Sequence, residues 1–405
     1  MKVIQINSTL KSGSTGKIAY VINQYLLEHH EEGSIIFGYG DQSDAHGFSL
    51  NSYWGSHLHS FLSRKLCMQG RLSCLATLKA IKYIRKEKPD LIHLHNIHGH
   101  YLNYPMLFRF LRKQKIHVVW TLHDCWAFTG KCAHYTSVNC MKWKTGCCAC
   151  PNLATYPETD FDASKKNYLL KKKMFTSLQK LHIVTVSDWL KSQVQQSFLG
   201  SQDISRIYNG VDTNLFQPQE KLEIREKLGI PEDAFVVLGV SSVWKREKGY
   251  DTFLAIAETL KGVCNFVMVG LTEEKIKTLP DYIYGLVRTE SQAELAALYM
   301  SSDVLLNPST EETFGLVAVE AMACGTPVIV SDKTACPEVV NDDRVGFVVD
   351  MEQPTQIIAA IQQVKSKGKA YYREACRNAA VENFSQTAML ENYYHLYRRI
   401  CKDEQ

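Results

Sequence analysis

Two glutamates, Glu312 and Glu320, stand in the segment 308–329, which reads PSTEETFGLVAVEAMACGTPVI. An apolar strand is predicted just before this segment, and the residues that follow predict a helix that begins near Phe314 and stops at Gly325. Carboxylates beside the start of a helix can accept hydrogen bonds from the hydroxyl groups of a sugar. Each glutamate also has an ordinary interpretation, Glu312 as a helix cap and Glu320 as a solvated helix residue.

The start of that helix would also form an anion site. The first N–H groups of a helix have no carbonyl partner within the helix, and they form the positive end of its dipole. We therefore expect a diphosphate at this point of the chain, with its ribose near Glu320. The N–H groups concerned are those of Phe314, Gly315 and Leu316.

The elements that must position these residues alternate along almost the whole chain, apolar strands with amphipathic helices. The strands are predicted at 2–7, 34–39, 90–95, 116–123, 181–186, 204–208, 235–241, 265–269, 282–287, 304–307, 327–331 and 346–349. A turn-rich stretch, 206–218, separates two such series. This pattern predicts an α/β protein of two Rossmann-like domains that face each other across a cleft, with the ligand at the carboxyl ends of the strands.

These patterns also give the domain boundaries. We assign the N-terminal domain to residues 1–207 and the C-terminal domain to residues 208–384. The last segment, 385–405, contains a helix with one apolar face, which is predicted to pack back on the N-terminal domain.

The composition excludes several classes of protein. The chain has 405 residues, 45% of them hydrophobic and 22% charged, as expected for a folded protein of two or three domains. Its net charge of +4 is too small to indicate a nucleic-acid partner, and no apolar run approaches the length of a membrane span. Because no signal-peptide pattern is present, we expect a cytoplasmic protein. The 13 cysteines, an odd number, favour thiols or metal ligands over a disulfide framework.

The segment around the two glutamates resembles the signature of retaining glycosyltransferase family 4, whose members have the GT-B fold. Three further stretches match the family in order along the chain. Lys248-Gly249 corresponds to its Lys-Gly on the donor diphosphate, and Asn209-Gly-Val-Asp212 corresponds to its junction motif. Gly16 falls in its N-terminal glycine loop, which approaches the donor. The resemblance covers nearly the whole chain.

The resemblance implies transfer of a sugar from a nucleotide-diphospho-sugar, of UDP or GDP type, to a glycan or lipid-linked glycan in surface polysaccharide biosynthesis. It implies that Lys248 and the helix N–H groups stabilise the leaving diphosphate, that Glu312 holds the transferred sugar and that Glu320 binds the ribose. No Asp-x-Asp metal motif stands at the expected place, which suits an enzyme that requires no cofactor for catalysis. Front-face attack with retention of configuration is likewise implied by the family.

One position departs from the family pattern. Family members carry Gly-Arg a few residues before the lysine, where this chain has Ser242 and Val243. Lys245 or Arg246 could supply the missing charge, or both could be solvated loop residues. The departure keeps two other functions open. One is a different GT-B enzyme, such as a sugar-nucleotide epimerase or a glycoside phosphorylase, and the other is a nucleotide-sugar binder without catalytic activity.

The N-terminal domain carries histidines at the predicted ends of two strands. His123 ends one of them and resembles the family's cleft histidine, which contacts the donor sugar; a structural histidine is the alternative. The residues predicted on the acceptor side of the cleft are His95, Asn96, His98 and Asp124. A metal site on the same histidine-rich segment is a further alternative.

A cysteine-rich insertion at 130–151 interrupts the N-terminal domain. Four of its cysteines, the last two in a Cys-x-x-Cys knuckle, suit a tetrahedral structural zinc site. These candidate ligands are Cys132, Cys140, Cys147 and Cys150. The irregular first spacing and the spare Cys148 leave unligated or reactive thiols as the alternative. The insertion follows His123 and is expected at the rim of the acceptor site.

A basic and partly apolar helix is predicted at 165–175, KKNYLLKKKMF. Such a helix can lie on an anionic membrane surface, which would suit an enzyme at the inner face of the plasma membrane that extends lipid-linked glycans. A solvated helix face is the alternative interpretation.

Overall fold

The computed structural model describes residues 1–40, 44–50, 53–219 and 224–402. The chain forms two compact units. The first comprises Met1–Ile207 together with the residues from Leu390 onwards, and the second comprises Tyr208–Met389. The chain therefore leaves the first unit once and returns to it at its C-terminal end.

The first unit is built on a sheet of parallel strands. In the described part of the chain these are β1 (Lys2–Thr9), β2 (Glu32–Tyr39), β3 (Gly47–Ser49), β4 (Leu91–Leu94), β5 (His117–Leu122), β6 (Leu181–Thr185) and β7 (Asp203–Arg206). Their order across the sheet is β3-β2-β1-β4-β5-β6-β7. The central strands are buried on both faces, which explains why they read as continuous apolar runs in the sequence.

Helices surround this sheet. They are α1 (Gly13–Glu28), α2 (Tyr53–Leu66), α3 (Cys74–Glu87), α4 (Tyr104–Gln114), α5 (Ser164–Phe175) and α6 (Asp188–Gln195). Helix α4 illustrates how individual residues determine where a helix begins. Asn103 caps its start by accepting the N–H of Met106 at 3.0 Å, and Pro105 occupies the first turn, where its missing N–H costs nothing.

The second unit repeats the same plan. Its parallel strands are β8 (Val236–Val240), β9 (Asn265–Val269), β10 (Ile283–Leu286), β11 (Val304–Asn307), β12 (Val328–Ser331) and β13 (Gly346–Val349). Their order is β10-β9-β8-β11-β12-β13, so the strand order reverses between β8 and β11. The helices are α7 (Ile224–Lys227), α8 (Tyr250–Thr259), α9 (Glu273–Lys277), α10 (Gln292–Ser301), α11 (Leu316–Ala323), α12 (Pro354–Lys367) and α13 (Lys369–Phe384).

The last helix, α14 (Gln386–Lys402), packs on the sheet of the first unit. The hydroxyl of Tyr393 lies 2.9 Å from Thr121 Oγ1, and the hydroxyl of Tyr397 lies 2.6 Å from His93 Nδ1. Both tyrosines are buried, so the helix is anchored by its aromatic face. None of the helices in the described ranges has both the length and the apolar character needed to cross a membrane.

The predicted fold class is confirmed: each unit is a parallel α/β sheet of Rossmann type. All the predicted strands are present, and their ends differ from the prediction by about two residues at most, the usual uncertainty of such boundaries. Strand β3 was missed, because Gly47–Ser49 is too short to show an alternating pattern. Helix α11 begins at Leu316, two residues after the predicted start near Phe314, and the reason lies in the site.

Candidate active site

The loops that follow β8 and β11 bring a lysine and a glutamate together. Lys248 ends the short 3-10 turn Arg246–Lys248, just before α8. Its Nζ lies 2.7 Å from Glu312 Oε1 and donates to the carbonyl of Glu311 at 3.1 Å. Both side chains of the ion pair remain partly accessible, 30% for Lys248 and 20% for Glu312. The strand order reverses between the central strands β8 and β11. The pair therefore lies at the carboxyl ends of these strands, where open α/β sheets bind their ligands.

Gly249 explains how Lys248 comes so close to the second loop. Its φ is +72°, a left-handed conformation that residues with a side chain rarely adopt. A Cβ at this position would lie 2.5 Å from the Cβ and from the carbonyl oxygen of Pro308. The N–H of Thr310 also donates to the carbonyl of Glu247 at 3.0 Å. Glycine is therefore needed after Lys248 for both conformation and space.

Helix α11 begins two residues later than the sequence predicted. Gly315 has a φ of +98°, so the backbone turns there and the helix starts at Leu316. Phe314 is buried, and its ring packs against Tyr208 and Phe384 with ring centroids 5.6 Å from each. The first N–H groups of the helix therefore lie from Gly315 and Leu316 onwards, and the side chain of Phe314 packs beneath the turn; an anion site there stays a prediction.

Glu320, the second glutamate of the motif, is held by a buried tyrosine. The hydroxyl of Tyr299 on α10 donates to Glu320 Oε2 at 2.9 Å. Burial and the nearby carboxylate raise the pKa of Tyr299 well above its usual value, so this hydroxyl keeps its proton. The backbone of Tyr299 is fixed as well, because Thr326 Oγ1 donates to its carbonyl at 2.6 Å. The carboxylate of Glu320 is therefore oriented by a hydrogen bond, although it lies on a helix and stays partly accessible.

The loop in which the family carries its arginine is exposed. Ser242 and Val243 stand at these positions, and Val243 is 53% accessible. Lys245 and Arg246 are exposed too, which fits their interpretation as solvated loop residues.

A cation that the sequence analysis did not single out contacts the same loop. Lys275 Nζ, on α9, donates to the carbonyl of Trp244 at 2.7 Å. It also lies 3.8 Å from the ring centroid of Tyr250, a cation–π contact. The ammonium group of Lys275 therefore supports the loop that carries Lys248.

In the first unit, the segments after β4 and β5 bring histidines and an aspartate together. His95 Nδ1 lies 3.2 Å from His123 Nε2, and His98 Nε2 lies 2.8 Å from Asp124 Oδ2. These side chains border one pocket at the carboxyl ends of the strands. The residues that line it include His95, Asn96, His98, His123, Asp124 and Trp126.

Two of the predicted acceptor contacts need correction. His95 and His98 are only 2% and 4% exposed, and each uses both ring nitrogens within the protein. They therefore support the pocket rather than contact a ligand. The predicted residues with more accessible side chains are Asn96, His123 and Asp124.

The charge in this pocket is carried by Asp124. Burial alone would raise its pKa, but its electrostatic interaction and hydrogen bond with His98 and the N–H of Trp126 outweigh burial and lower the pKa to about 2. Burial lowers the pKa of His123 to about 4, so this imidazole is neutral at physiological pH. A carboxylate and a neutral imidazole side by side are suited to hydrogen bonds with hydroxyl groups.

The N-terminal glycine loop meets the same region. Asn7 Oδ1 accepts the backbone N–H of Asn96 at 3.2 Å, and the Asn7 amide donates to the carbonyl of Thr9 at 2.9 Å. Gly16 lies in the first turn of α1, where a Cβ would come within 2.6 Å of Thr9 Oγ1. Gly16 therefore lets the loop fold closely onto the start of α1.

The cysteine-rich insertion brings two of its candidate ligands into contact. A hydrogen bond between the thiols of Cys132 and Cys150 lowers the pKa of Cys150 to about 6 and raises that of Cys132. Cys147 Sγ accepts the N–H of Gly130 at 3.1 Å. Among the residues that the structure describes, no three Cys, His, Asp or Glu side chains converge as a metal site. A zinc site that also uses Cys140 stays a prediction.

Helix α5 divides its lysines between two environments. Lys171 is buried, and its Nζ donates to the carbonyls of Trp126 and Thr129 at 2.6 and 3.0 Å. Leu169 is 56% exposed. Four lysines share the exposed side of the helix with it: Lys165, Lys166, Lys172 and Lys173.

Two protein-family models match the chain and together span most of it. The model described as Glycosyltransferase Family 4 matches residues 37–215, and the model described as Glycosyl transferases group 1 matches residues 220–382. The chain belongs to glycosyltransferase family 4. The Lys248–Glu312 pair of this glycosyltransferase lies within the second match, and the pocket around His123 lies within the first.

Two relatives of the glycosyltransferase match it over almost their whole length. An uncharacterized 41.2 kDa protein in the cps region of Klebsiella pneumoniae is 28% identical over 410 residues, covering 98% of this chain and 99% of that protein. The putative colanic acid biosynthesis glycosyl transferase WcaC of Escherichia coli K12 is 24% identical over 428 residues, covering 99% of this chain and 100% of that protein.

Solved structures show the same fold. Sucrose-phosphate synthase from Thermosynechococcus elongatus superposes with a TM-score of 0.73 at 19% identity, covering 98% of both chains. HepE from Anabaena, solved in complex with UDP-glucose, gives a TM-score of 0.66 at 16% identity, covering 98% of this chain and 100% of that chain. The fold of the glycosyltransferase is GT-B.

Proposed function

We propose that this glycosyltransferase transfers a sugar, with retention of configuration, from a nucleotide-diphospho-sugar of UDP or GDP type to a glycan or lipid-linked glycan. The observation that carries the proposal is the Lys248–Glu312 pair beside the start of α11. It combines a cation for a diphosphate, a carboxylate for sugar hydroxyls and the first N–H groups of a helix. That combination suits a donor in which a sugar is joined to a diphosphate.

In this proposal Lys248 and the first N–H groups of α11 bind the diphosphate. Negative charge grows on the diphosphate oxygens as their bond to the sugar breaks, so a fixed ammonium group binds the transition state more tightly than the ground state. Without ligand, Lys248 is paired with Glu312, so the diphosphate meets a lysine that is already held in place.

The carboxylates then orient the donor. Glu312 accepts hydrogen bonds from hydroxyl groups of the sugar, and Glu320, held by Tyr299, accepts them from the ribose. His123 contacts the donor sugar, and Asn96 and Asp124 contact the acceptor. The acceptor oxygen attacks the anomeric carbon from the side on which the diphosphate departs. Its proton passes to a diphosphate oxygen, which balances the reaction without a protein base.

The assembly of a surface polysaccharide is the setting we propose for this reaction. Support comes from the relative WcaC, whose name assigns it to colanic acid biosynthesis and which matches this chain over its full length. The relative from Klebsiella pneumoniae lies in a cps region.

For a lipid-linked acceptor we also propose that the first unit contacts an anionic membrane peripherally. Large apolar side chains are exposed on α2 and α3: Leu58 is 59% accessible, Phe61 58% and Leu75 83%. Helix α5 adds exposed lysines and Leu169. Apolar groups that insert among lipids and lysines that attract anionic head groups both suit a peripheral contact.

Thermal unfolding with a panel of nucleotides tests the donor site. In a panel of UDP, GDP, ADP and dTDP compounds, we expect a UDP or GDP compound to raise the unfolding midpoint most, since a ligand that binds only the folded state stabilises it. The shift should disappear in Lys248→Met and persist in Lys245→Met, a matched control in the same loop. NMR of the product should show that the transferred sugar has the same anomeric configuration as in the donor. No shift with any compound would contradict the proposal, and binding without turnover would favour a non-catalytic binder.

A further inference from the structure

A chain of hydrogen bonds links β1 to His123 through two buried side chains. Gln5, within β1, and His95, directly after β4, are 0% and 2% exposed. Gln5 Oε1 lies 2.9 Å from His95 Nε2, and His95 Nδ1 lies 3.2 Å from His123 Nε2. Polar groups at this depth destabilise the fold unless they are hydrogen-bonded, so the direction of each bond can be worked out.

The first bond has one possible direction. Gln5 Nε2 donates to the carbonyl of Ala19 on α1 at 2.8 Å, and a carbonyl only accepts. The amide nitrogen of Gln5 therefore faces α1, and its oxygen faces His95. Because that oxygen cannot donate, Nε2 of His95 carries a proton.

The second bond follows from the first. Burial, with His93 and His123 nearby, lowers the pKa of His95 well below its usual value, so its imidazole is neutral. A neutral imidazole with its proton on Nε2 has a lone pair on Nδ1. His95 Nδ1 is therefore the acceptor, and His123 Nε2 is the donor. Because His123 is neutral as well, Nδ1 is its acceptor nitrogen.

The position of His95 is fixed by its surroundings. Trp120 Nε1 donates to the carbonyl of His95 at 3.1 Å. The ring of His93 lies 3.9 Å from that of His95, centroid to centroid. His93 is itself held on both nitrogens, 2.8 Å from Thr121 Oγ1 and 2.6 Å from the Tyr397 hydroxyl. The chain of bonds is thus built into a rigid part of the sheet.

We propose that Gln5 and His95 are positioning residues that hold His123 in its Nε2–H tautomer, with Nδ1 as its acceptor nitrogen. The contact of His123 with the donor sugar rests on the proposed function. The tautomer rests only on hydrogen bonds within the first unit. The opposite tautomer would place an N–H group at Nδ1 and make that nitrogen a donor instead of an acceptor.

Nitrogen NMR of protein with labelled histidines, recorded without ligand, reads the tautomer directly. A His123→Asn variant identifies the signals of His123. We expect wild-type His123 to be protonated on Nε2. In Gln5→Glu the carboxylate favours a charged His95, whose Nδ1–H then donates to His123 and moves the His123 proton to Nδ1. A wild-type His123 protonated on Nδ1, or a folded Gln5→Glu with unchanged His123 signals, would overturn the proposal.

A second variant covers the case in which Gln5→Glu does not fold. Gln5→Met keeps a similar volume but removes the acceptor, so His123 should become a mixture of both tautomers. A His123 that stays fully protonated on Nε2 in Gln5→Met would also overturn the proposal.

Kinetics separate this proposal from the proposed function. With the donor found by thermal unfolding, kcat/KM should fall at least tenfold in Gln5→Glu. It should change less than twofold in Thr77→Val, which removes a buried hydroxyl elsewhere in the first unit. If the tautomers are as expected but the protein turns over no nucleotide sugar, the positioning role of Gln5 and His95 is supported and the proposed function is contradicted. If the wild type is active but His123 is protonated on Nδ1, the proposed function is supported and the positioning role is contradicted.

Discussion

The hydroxyl of Tyr299 donates to Glu320 Oε2 at 2.9 Å, and this bond orients the carboxylate of the second glutamate of the motif. The tyrosine is fully buried on α10, whereas Glu320 lies on α11 and is partly accessible. Tyr299, which is too deeply buried to contact a ligand, therefore orients Glu320, which we expect to bind the ribose.

Replacing Tyr299 by phenylalanine should weaken donor binding. The ring stays in place, but Glu320 loses the hydrogen bond from Tyr299, and a hydrogen bond to a charged group contributes about 1.5–3 kcal/mol. We expect KM for the donor to rise at least tenfold while kcat changes little. The control is Tyr372→Phe, because the Tyr372 hydroxyl is buried without a partner among the described residues. Equal effects of the two variants in steady-state kinetics would contradict the assigned role of Tyr299.

Buried histidines predict how stability depends on pH. Burial lowers the pKa of His59, His100 and His123 to about 4. In the unfolded chain these groups titrate near 6.5, so between pH 6.5 and 4 the unfolded state binds more protons. The free energy of unfolding should therefore fall as the pH is lowered through this window, by up to about 1.4 kcal/mol per pH unit for each histidine.

Urea unfolding between about pH 5 and 7.5 measures this slope above the range in which most carboxylates titrate. The pKa of Asp124, about 2, places its own contribution below that window. A His59→Gln variant should show a shallower slope than the wild type. The same slope in both proteins would show that His59 titrates normally in the folded state.

The cysteine-rich insertion gives a prediction about reactivity. The hydrogen bond from Cys132 lowers the pKa of Cys150 to about 6, whereas burial raises the pKa of Cys147 to about 11. Since the thiolate is the reactive form, iodoacetamide at neutral pH should label Cys150 faster than Cys132 or Cys147. Mass spectrometry of peptides from briefly labelled native protein measures these rates.

The same labelling tests the zinc site predicted from the sequence. A bound zinc would protect Cys132, Cys140, Cys147 and Cys150 together until a chelator removes it, and metal analysis would find about one zinc per chain. Selective labelling of Cys150 in protein without zinc would instead favour free thiols. The exposed Cys148 serves as an internal reference in both cases.

The proposed membrane contact predicts selective binding to vesicles. The protein should sediment with vesicles that contain phosphatidylglycerol and not with pure phosphatidylcholine, and added salt should weaken the binding. Combined Leu58→Gln, Phe61→Gln and Leu75→Gln substitutions should abolish it. The matched control replaces Val243 and Val263, which are 53% and 51% exposed in the second unit. Binding that survives in the first variant, or is lost in the control, would contradict the assigned surface.

Much of the fold could be predicted from the sequence because its signals are local. Strands such as β9 (Asn265–Val269) are short apolar runs bounded by polar residues and turns, and buried parallel strands read in this way. The candidate donor residues Lys248, Glu312 and Glu320 came from a resemblance to a motif with fixed spacing. Neither source depends on knowing which distant residues meet in space.

The remaining features depend on contacts between distant parts of the chain. Tyr299 stands 21 residues from Glu320, and Gln5 stands 90 residues from His95, so no spacing pattern joins them. The start of α11 lies two residues after the predicted one because Phe314 has the apolar character of a helical residue. Only the φ of Gly315 shows that the backbone turns after it.

The most direct test of the donor site is calorimetric titration of the wild type with the nucleoside diphosphate that gives the largest thermal shift. Lys248→Met should bind it at least tenfold more weakly, because in the proposed function the ammonium group that pairs with Glu312 also binds the diphosphate. Lys245→Met, which changes an exposed lysine three residues earlier, should bind like the wild type. Equal affinities in all three proteins would contradict the assignment of the donor site to the Lys248–Glu312 pair.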